Sequence, residues 1–421
     1  MTARRILVVS YPYPPMPSTG ANRWAAMTHY LRAAGHHVTV LTTSAFGSLS
    51  AADEVGVERT RDLIASSALR KLVRRPPLPR PDQPIPEDKP PGTLLTRVVV
   101  PDIYAVTWLP SAAAAARRLV RAAEFDCIVT TSPYESGHLV ALALGSRRPP
   151  WIADLRDAWT FEPYRDPFPT ALQRRLDAAL ERRVLTTADR VVCVHQALVD
   201  DVGKRFGVEA AYVPNGWDPA LDSEVERASS TAASTSKTTL VHTGMLWGDW
   251  GRDPEPLFAA LRSLRDDRPE LTERFELLLA GRLDNVQRER LAASGLSGIV
   301  RNVGMLSRPE AAALQRDADA LLLLTSRRLS WEAPGKLFEY LSAGRPILAL
   351  ADGNEAARVV SETRTGVTVP PDDEAAIEAA LVDLIEGGVA RSYSPVGTER
   401  YRYPAPADAM SDVIDQAVAT A

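Results

Sequence analysis

Short runs of Val, Ile, Leu and Ala recur along the 421 residues without polar alternation, and helix-like stretches lie between them. Strands that are apolar on both sides need cover on both faces, and a parallel sheet between two layers of helices supplies it. In the first half the runs fall at residues 6–10, 38–42, 127–130, 151–153, 191–194 and 211–213, separated by amphipathic segments such as 21–34 and 172–186. The rhythm stops at residues 228–236, a stretch of Ala, Ser and Thr alone, which reads as a linker. It restarts with runs at 239–243, 276–280, 299–303, 320–324, 346–349 and 366–369. The expected fold is therefore α/β, with two Rossmann-like, doubly wound domains, and the chain is longer than a single core usually sustains. The first domain is placed at 1–218 with an insertion loop at 45–95, the linker at 219–238 and the second domain at 239–400. A helix within 401–421 is expected to cross back to the first domain.

The bulk numbers remove several functions. A net charge of −4 gives no reason to expect a nucleic acid as partner. Cys127 and Cys193 both sit inside apolar runs, which fits buried thiols in a reducing compartment, and no metal-ligand spacing occurs. No run approaches the ~20 apolar residues of a membrane span, and the one at 6–10 is too short for a signal-peptide core. The expected location is the cytoplasm, with peripheral contact at the inner face of the cell membrane left open by residues 69–80. That stretch carries Arg70, Lys71, Arg74, Arg75 and Arg80 without an acid, interleaved with Leu69, Leu72, Val73 and Leu78. The prolines around and after it make a surface loop, read either as a solvated insertion or as a membrane or acceptor contact.

Rossmann-like domains bind ligands at the C-terminal ends of their strands, where helix N-termini direct N–H groups at anions. One run there stands out: Pro334-Gly-Lys-Leu-Phe-Glu-Tyr-Leu-Ser-Ala-Gly-Arg-Pro346. Pro334 and Gly335 open a helix, and Gly344 ends it. Lys336 in the first turn opposes the helix dipole, which makes sense if an anion such as a diphosphate occupies that end. Glu339, one turn on, has the reach to accept hydrogen bonds from two ribose hydroxyls. The plain alternative is a solvated helix face with an intrahelical Lys–Glu pair.

This run resembles the donor-binding helix of the family 4 glycosyltransferases, which have the GT-B fold. Other stretches resemble the family in the same order. They are residues 6–15 followed by Gly20, Gly35-His-His-Val-Thr-Val-Leu41, Trp151-Ile-Ala-Asp-Leu-Arg-Asp-Ala-Trp159, Pro214-Asn-Gly-Trp-Asp218, His242-Thr-Gly244 and Arg252-Asp-Pro254. The resemblance implies a retaining transferase that moves a sugar from a nucleotide sugar, UDP ahead of GDP, to an acceptor. It implies that Glu339 holds the ribose, that Lys336 and Arg252 meet the departing diphosphate, and that Gly244 lets the backbone approach the donor. Val303, Met305 and Leu306 would lie near the base, with Gly20 facing the donor from the first domain. Arg23, Asp154, Arg156 and Asp157 would line the acceptor side. Three departures stand out. A sugar-contacting glutamate is expected eight positions before Glu339, where Trp331 stands and Glu332 is one residue off, so either a one-residue shift brings Glu332 into that catalytic role or the donor sugar is read differently. Met245 replaces an arginine after Gly244. A histidine usually closes the strand ending at Ser132, whereas His138, the candidate for that catalytic place, comes six residues later in the first turns of the next helix.

No cofactor and no metal are expected, since a diphosphate leaves without a metal-binding Asp-x-Asp and Asp372-Asp373 falls in a late loop. The acceptor leans towards a lipid-linked saccharide in surface polysaccharide or glycolipid assembly. A natural-product aglycone or aminocyclitol is the alternative within the class. Outside it stand a sugar-nucleotide epimerase and a non-catalytic nucleotide-sugar-binding protein. A dehydrogenase is disfavoured, because no G-x-G-x-x-G follows the first strand.

Overall fold

A computed structural model describes residues 2–16, 18–50, 52, 54–63, 98–103, 105–161, 167–219, 237–246, 252–326, 329 and 331–420. The basic stretch 69–80 and nearly all of the expected linker lie outside these residues. The chain divides into two compact units, one of Met1–Asn215 with Pro404–Ala421 and one of Gly216–Tyr403.

The first unit holds a seven-stranded sheet in the order β3-β2-β1-β4-β5-β6-β7. Its strands are β1 (Arg5–Ser10), β2 (His37–Thr43), β3 (Val57–Thr60), β4 (Cys127–Thr131), β5 (Trp151–Leu155), β6 (Arg190–Cys193) and β7 (Ala210–Tyr212). All the pairings are parallel; β1 sits centrally, with Ile6 opposite Val38 of β2 and Cys127 of β4. The strand order reverses between β1 and β4, which makes their C-terminal ends the topological switch point. β3 falls inside the segment expected to be a loop. Its Val-Glu-Arg-Thr sequence is half-buried throughout and lies at the sheet edge, so it never produces the apolar run that marked the other strands.

Packing explains why the helix Ala405–Ala419 belongs to this unit. Met410, Val413, Ile414 and Ala417 are buried, Arg4 Nε donates to Asp415 at 2.9 Å, and His36 Nε2 meets Ser411 Oγ at 2.9 Å.

The second unit repeats the plan with six parallel strands in the order β10-β9-β8-β11-β12-β13. They are β8 (Thr238–Thr243), β9 (Phe275–Ala280), β10 (Val300–Asn302), β11 (Ala320–Leu324), β12 (Ile347–Leu350) and β13 (Gly366–Val369). β11 shows why such strands are apolar throughout. Ala320, Leu322 and Leu324 pack into a core with Phe258, Leu261 and Leu381, while Leu321 and Leu323 face the opposite side with Leu337, Tyr340 and Val359. Burying each large apolar side chain contributes about 1.5–3 kcal/mol, and the successive residues of β11 do so on alternate faces. The capping box expected at Ser307 and Glu310 is present, with both reciprocal hydrogen bonds.

Candidate active site

In the second unit the strand order reverses between β8 and β11, which pair only through Leu240 and Val241. Beyond that point the His242 imidazole takes the place of the ladder: Nδ1 lies 2.9 Å from the Leu322 carbonyl and Nε2 3.1 Å from that of Met245. Burial, followed by the neighbouring Lys336 and Arg252 charges, pushes His242 down to about 3. The chain then turns at Gly244, whose φ of +89° suits glycine and whose N–H donates to the Ala280 carbonyl at 2.6 Å. A Cβ at this position would stand 2.6 Å from Lys336 Cε. Glycine here is what allows the lysine stem to lie against the backbone.

Lys336 comes from the helix Gly335–Ala343, which begins at Pro334 without a side-chain cap and without an acid in its first turn. Other helices of the unit start differently, with Asp284, Ser307, Asn354 and Asp373 each accepting a backbone N–H. The first N–H groups of the Gly335 helix lack the side-chain acceptor that those four starts have, as do those of Glu255–Asp267 and Gly388–Ser392, but among the described residues of the unit only here does a lysine sit in the uncapped first turn. Leu337, Phe338, Tyr340 and Leu341 face inward. The Tyr340 hydroxyl accepts from Thr243 N at 3.1 Å and ties the helix to the end of β8. That spacing turns Lys336 and Glu339 outward together, Lys336 half-buried and Glu339 exposed.

Among the described residues these two do not form an ion pair within 4.0 Å. The ammonium instead reaches the Met245 carbonyl at 3.4 Å. Burial, then repulsion by Arg252, holds Lys336 down at about 8. The result is a cation one turn from an unengaged carboxylate, at the bare start of a helix.

Arg252 and Glu332 need correction. Glu332, one of two readings for the sugar-contacting place, and Arg252, expected to meet the diphosphate, pair with each other, Nη2 to Oε1. The second Glu332 oxygen accepts from Ser326 N at 2.8 Å, and the residue is buried, as is Trp331 beside it. Both Glu332 oxygens therefore have protein donors, and the pair leaves Lys336 as the uncompensated charge of the three. Arg252 Nε is buried without an acceptor among the described residues. Val303, Met305 and Leu306 follow β10 around Gly304, which has a φ of +81°, and Met305 is 71% exposed.

The first unit treats its expected site residues differently. Asp154, on β5, has no exposed surface and accepts from Thr131 Oγ1 at 2.8 Å, Trp24 Nε1 at 3.0 Å and Arg23 Nη2 at 3.3 Å. Arg23 also donates to the carbonyls of Val213 and Pro214 and to Asn215 Oδ1. Both had been expected on the acceptor side; they are interior instead, and they fasten the helix Thr19–Ala33 to the segment after β7. His138 is likewise corrected from a candidate catalytic group to a buried one. Its Nδ1 meets Thr130 Oγ1 at 2.7 Å, its ring stacks on Trp159 at 6.1 Å, and burial pushes it down to about 3. Arg156 and Asp157 do lie together at the end of β5, paired at 2.7 Å. The Arg156 guanidinium comes 3.4 Å from where a Cβ on Gly20 would stand, so these three expected residues share one place.

Two residues escaped the sequence reading: His242, which appeared there only as part of a loop motif, and Tyr340. A histidine closing an otherwise apolar strand was the available signal for the first. Tyr340, flanked by apolar residues on the helix, gave none for its hydroxyl.

Residues 18–216 match the glycosyl transferase 4-like domain, and residues 237–387 match the glycosyl transferases group 1 domain. A phosphatidyl-myo-inositol mannosyltransferase of Mycobacterium leprae is 31% identical over 214 residues, 48% of this chain and 53% of that protein. The chain thus spans about half the length of the curated relatives it matches. Among solved structures, the sucrose-phosphate synthase of Thermosynechococcus elongatus aligns over 99% of this chain and 100% of its own, with a TM-score of 0.66 at 18% identity. Anabaena HepE in complex with UDP-glucose aligns over 99% and 98%, with a TM-score of 0.57 at 16% identity. With a 4-like domain followed by a group 1 domain, each folded as a doubly wound sheet, the chain belongs to the family 4 glycosyltransferases of GT-B fold.

Proposed function

We propose that the protein transfers a sugar from a nucleotide sugar, UDP ahead of GDP, to a lipid-linked saccharide or glycolipid acceptor. We further propose that it retains the anomeric configuration and works without a metal ion. The observation that carries this reading is the Lys336 ammonium, without a carboxylate partner among the described residues, at the uncapped start of the helix Gly335–Ala343.

A nucleoside diphosphate needs charge stabilisation as it leaves, because negative charge grows on its β-phosphate while the anomeric carbon becomes cationic. Lys336 and the free N–H groups at the helix start meet that charge, and Gly244 lets the lysine stem lie against the backbone beside them. Glu339, exposed and without an ion pair among the described residues, holds two ribose hydroxyls. The Arg252–Glu332 pair shapes the same edge but contributes little net charge. The mannosyltransferase relative, named for phosphatidyl-myo-inositol, supports a lipid-borne acceptor. HepE, solved with UDP-glucose, supports a UDP-sugar donor.

The test is titration calorimetry with UDP, GDP and dTDP. UDP is expected to bind, and Glu339→Ala to weaken it by about 10²-fold through the loss of two charge-assisted hydrogen bonds. Unchanged affinity in the variant would remove the ribose role.

A further inference from the structure

The helix Ala171–Thr187 of the first unit carries two acids and turns both of them inward. Asp177 accepts from Trp159 Nε1 at 2.9 Å. Glu181 accepts from Thr160 N at 3.3 Å and from both terminal nitrogens of Arg205 at 3.0 Å. The outer surface is left with arginines and leucines. Leu172 is 77% exposed and Leu176 49%, and Arg174, Arg175, Arg182 and Arg183 are exposed around them. At 100° per residue, positions 172, 175, 176, 179 and 183 form one stripe on the side opposite buried Asp177, Glu181 and Val184.

A single exposed leucine is ordinary. Two of them one turn apart, facing away from the core, with Arg175 beside them, Arg183 further along the same stripe, Arg182 at its edge and no exposed acid on the helix, form a cationic amphipathic face. Arg174 is held by the carbonyls of Phe168 and Pro169, and Arg182 lies over the Phe206 ring. Arg175 and Arg183 have neither an ion pair nor a side-chain hydrogen bond among the described residues.

We propose that this face docks the protein on an anionic lipid surface, with Leu172 and Leu176 entering the headgroup layer and Arg175, Arg182 and Arg183 meeting lipid phosphates. The charge fits one partner class: a dense plane of phosphates complements an arginine stripe without acids, and the paired leucines gain only where apolar surface is within reach. The inward face gives the docking a purpose. Through Asp177 and Glu181 the helix holds Trp159 and Thr160, which follow the Arg156–Asp157 pair in the chain. A helix seated on the bilayer would fix that loop at the level of lipid headgroups. This purpose rests on the proposed lipid-borne acceptor; the docking itself does not.

The experiment is co-sedimentation of the full chain with vesicles of phosphatidylcholine alone and of phosphatidylcholine with phosphatidylglycerol, at low and high salt. Binding is expected on the anionic vesicles only, and it should weaken with salt. Arg175→Gln with Arg183→Gln should lower the partition about 30-fold, the effect of two arginines at an anionic surface. Leu172→Ser with Leu176→Ser should lower it at least about tenfold. Each variant should keep the wild-type melting temperature and UDP affinity, which shows that the fold is intact. Equal binding to both vesicle types, binding indifferent to all four substitutions, or capture by acidic proteins without vesicle binding would overturn the proposal. Vesicle binding without binding of UDP, GDP or dTDP would instead uphold the docking and remove the nucleotide-sugar donor reading.

Discussion

The two units share a fold, and some of the charged residues expected in their sites are placed in opposite ways. In the first unit Asp154 on β5, His138 after β4 and Arg23 on the helix Thr19–Ala33 are interior and partnered. At the end of β8 and the start of the Gly335 helix in the second, Lys336 and Glu339 are turned outward without ion pairs among the described residues. Charged residues after a strand thus mark a place in the fold, and burial decides whether they build that place or act from it.

Asp154→Asn carries the largest expected effect. It leaves the Arg23 guanidinium buried without its carboxylate and should destabilise the first unit by about 3–5 kcal/mol in denaturant unfolding. Unchanged stability with lost transfer to acceptor would return Asp154 to the acceptor site and break the contrast.

Lys336→Met comes next. It should reduce kcat/KM by about 10²–10³-fold with the melting temperature unchanged. The same residue predicts a pH dependence in the wild type. The free ammonium loses its proton near pH 8, and the diphosphate binds the charged form. UDP affinity should therefore be level well below that value and fall, approaching about tenfold per pH unit, above it. The methionine variant should lack this slope, and a slope that persists there would assign the titration to another group.

The smallest expected effect is none at all. Treatment with EDTA should leave the transfer rate unchanged, and a loss restored by magnesium or manganese would show that Lys336 does not meet the diphosphate charge alone.

Much of the fold could be read because strands covered on both faces carry continuous apolar runs, as β11 does throughout and β9 does over Leu277–Ala280. β3 escaped because an edge strand buries little and Val-Glu-Arg-Thr carries no such demand. In the candidate site, Lys336 and Glu339 were readable because a lysine at a helix start works against the dipole and so signals another cause. The interior role of Asp154 was not readable, since its donors come from β4 and from the helix Thr19–Ala33 and meet only in three dimensions. The same holds for the Arg252–Glu332 pair, whose members are 80 positions apart.

The helix Ala405–Ala419 has a consequence for how the chain is made. It completes the first unit, yet it is synthesised after the whole of the second. On the ribosome the second unit, continuous from 216 to 403, has all its strands before the first has its final helix. Until then the surfaces around His36 and Arg4 wait uncovered. Of the two, the amino-terminal unit is the later to close and the more exposed to proteases and chaperones during synthesis.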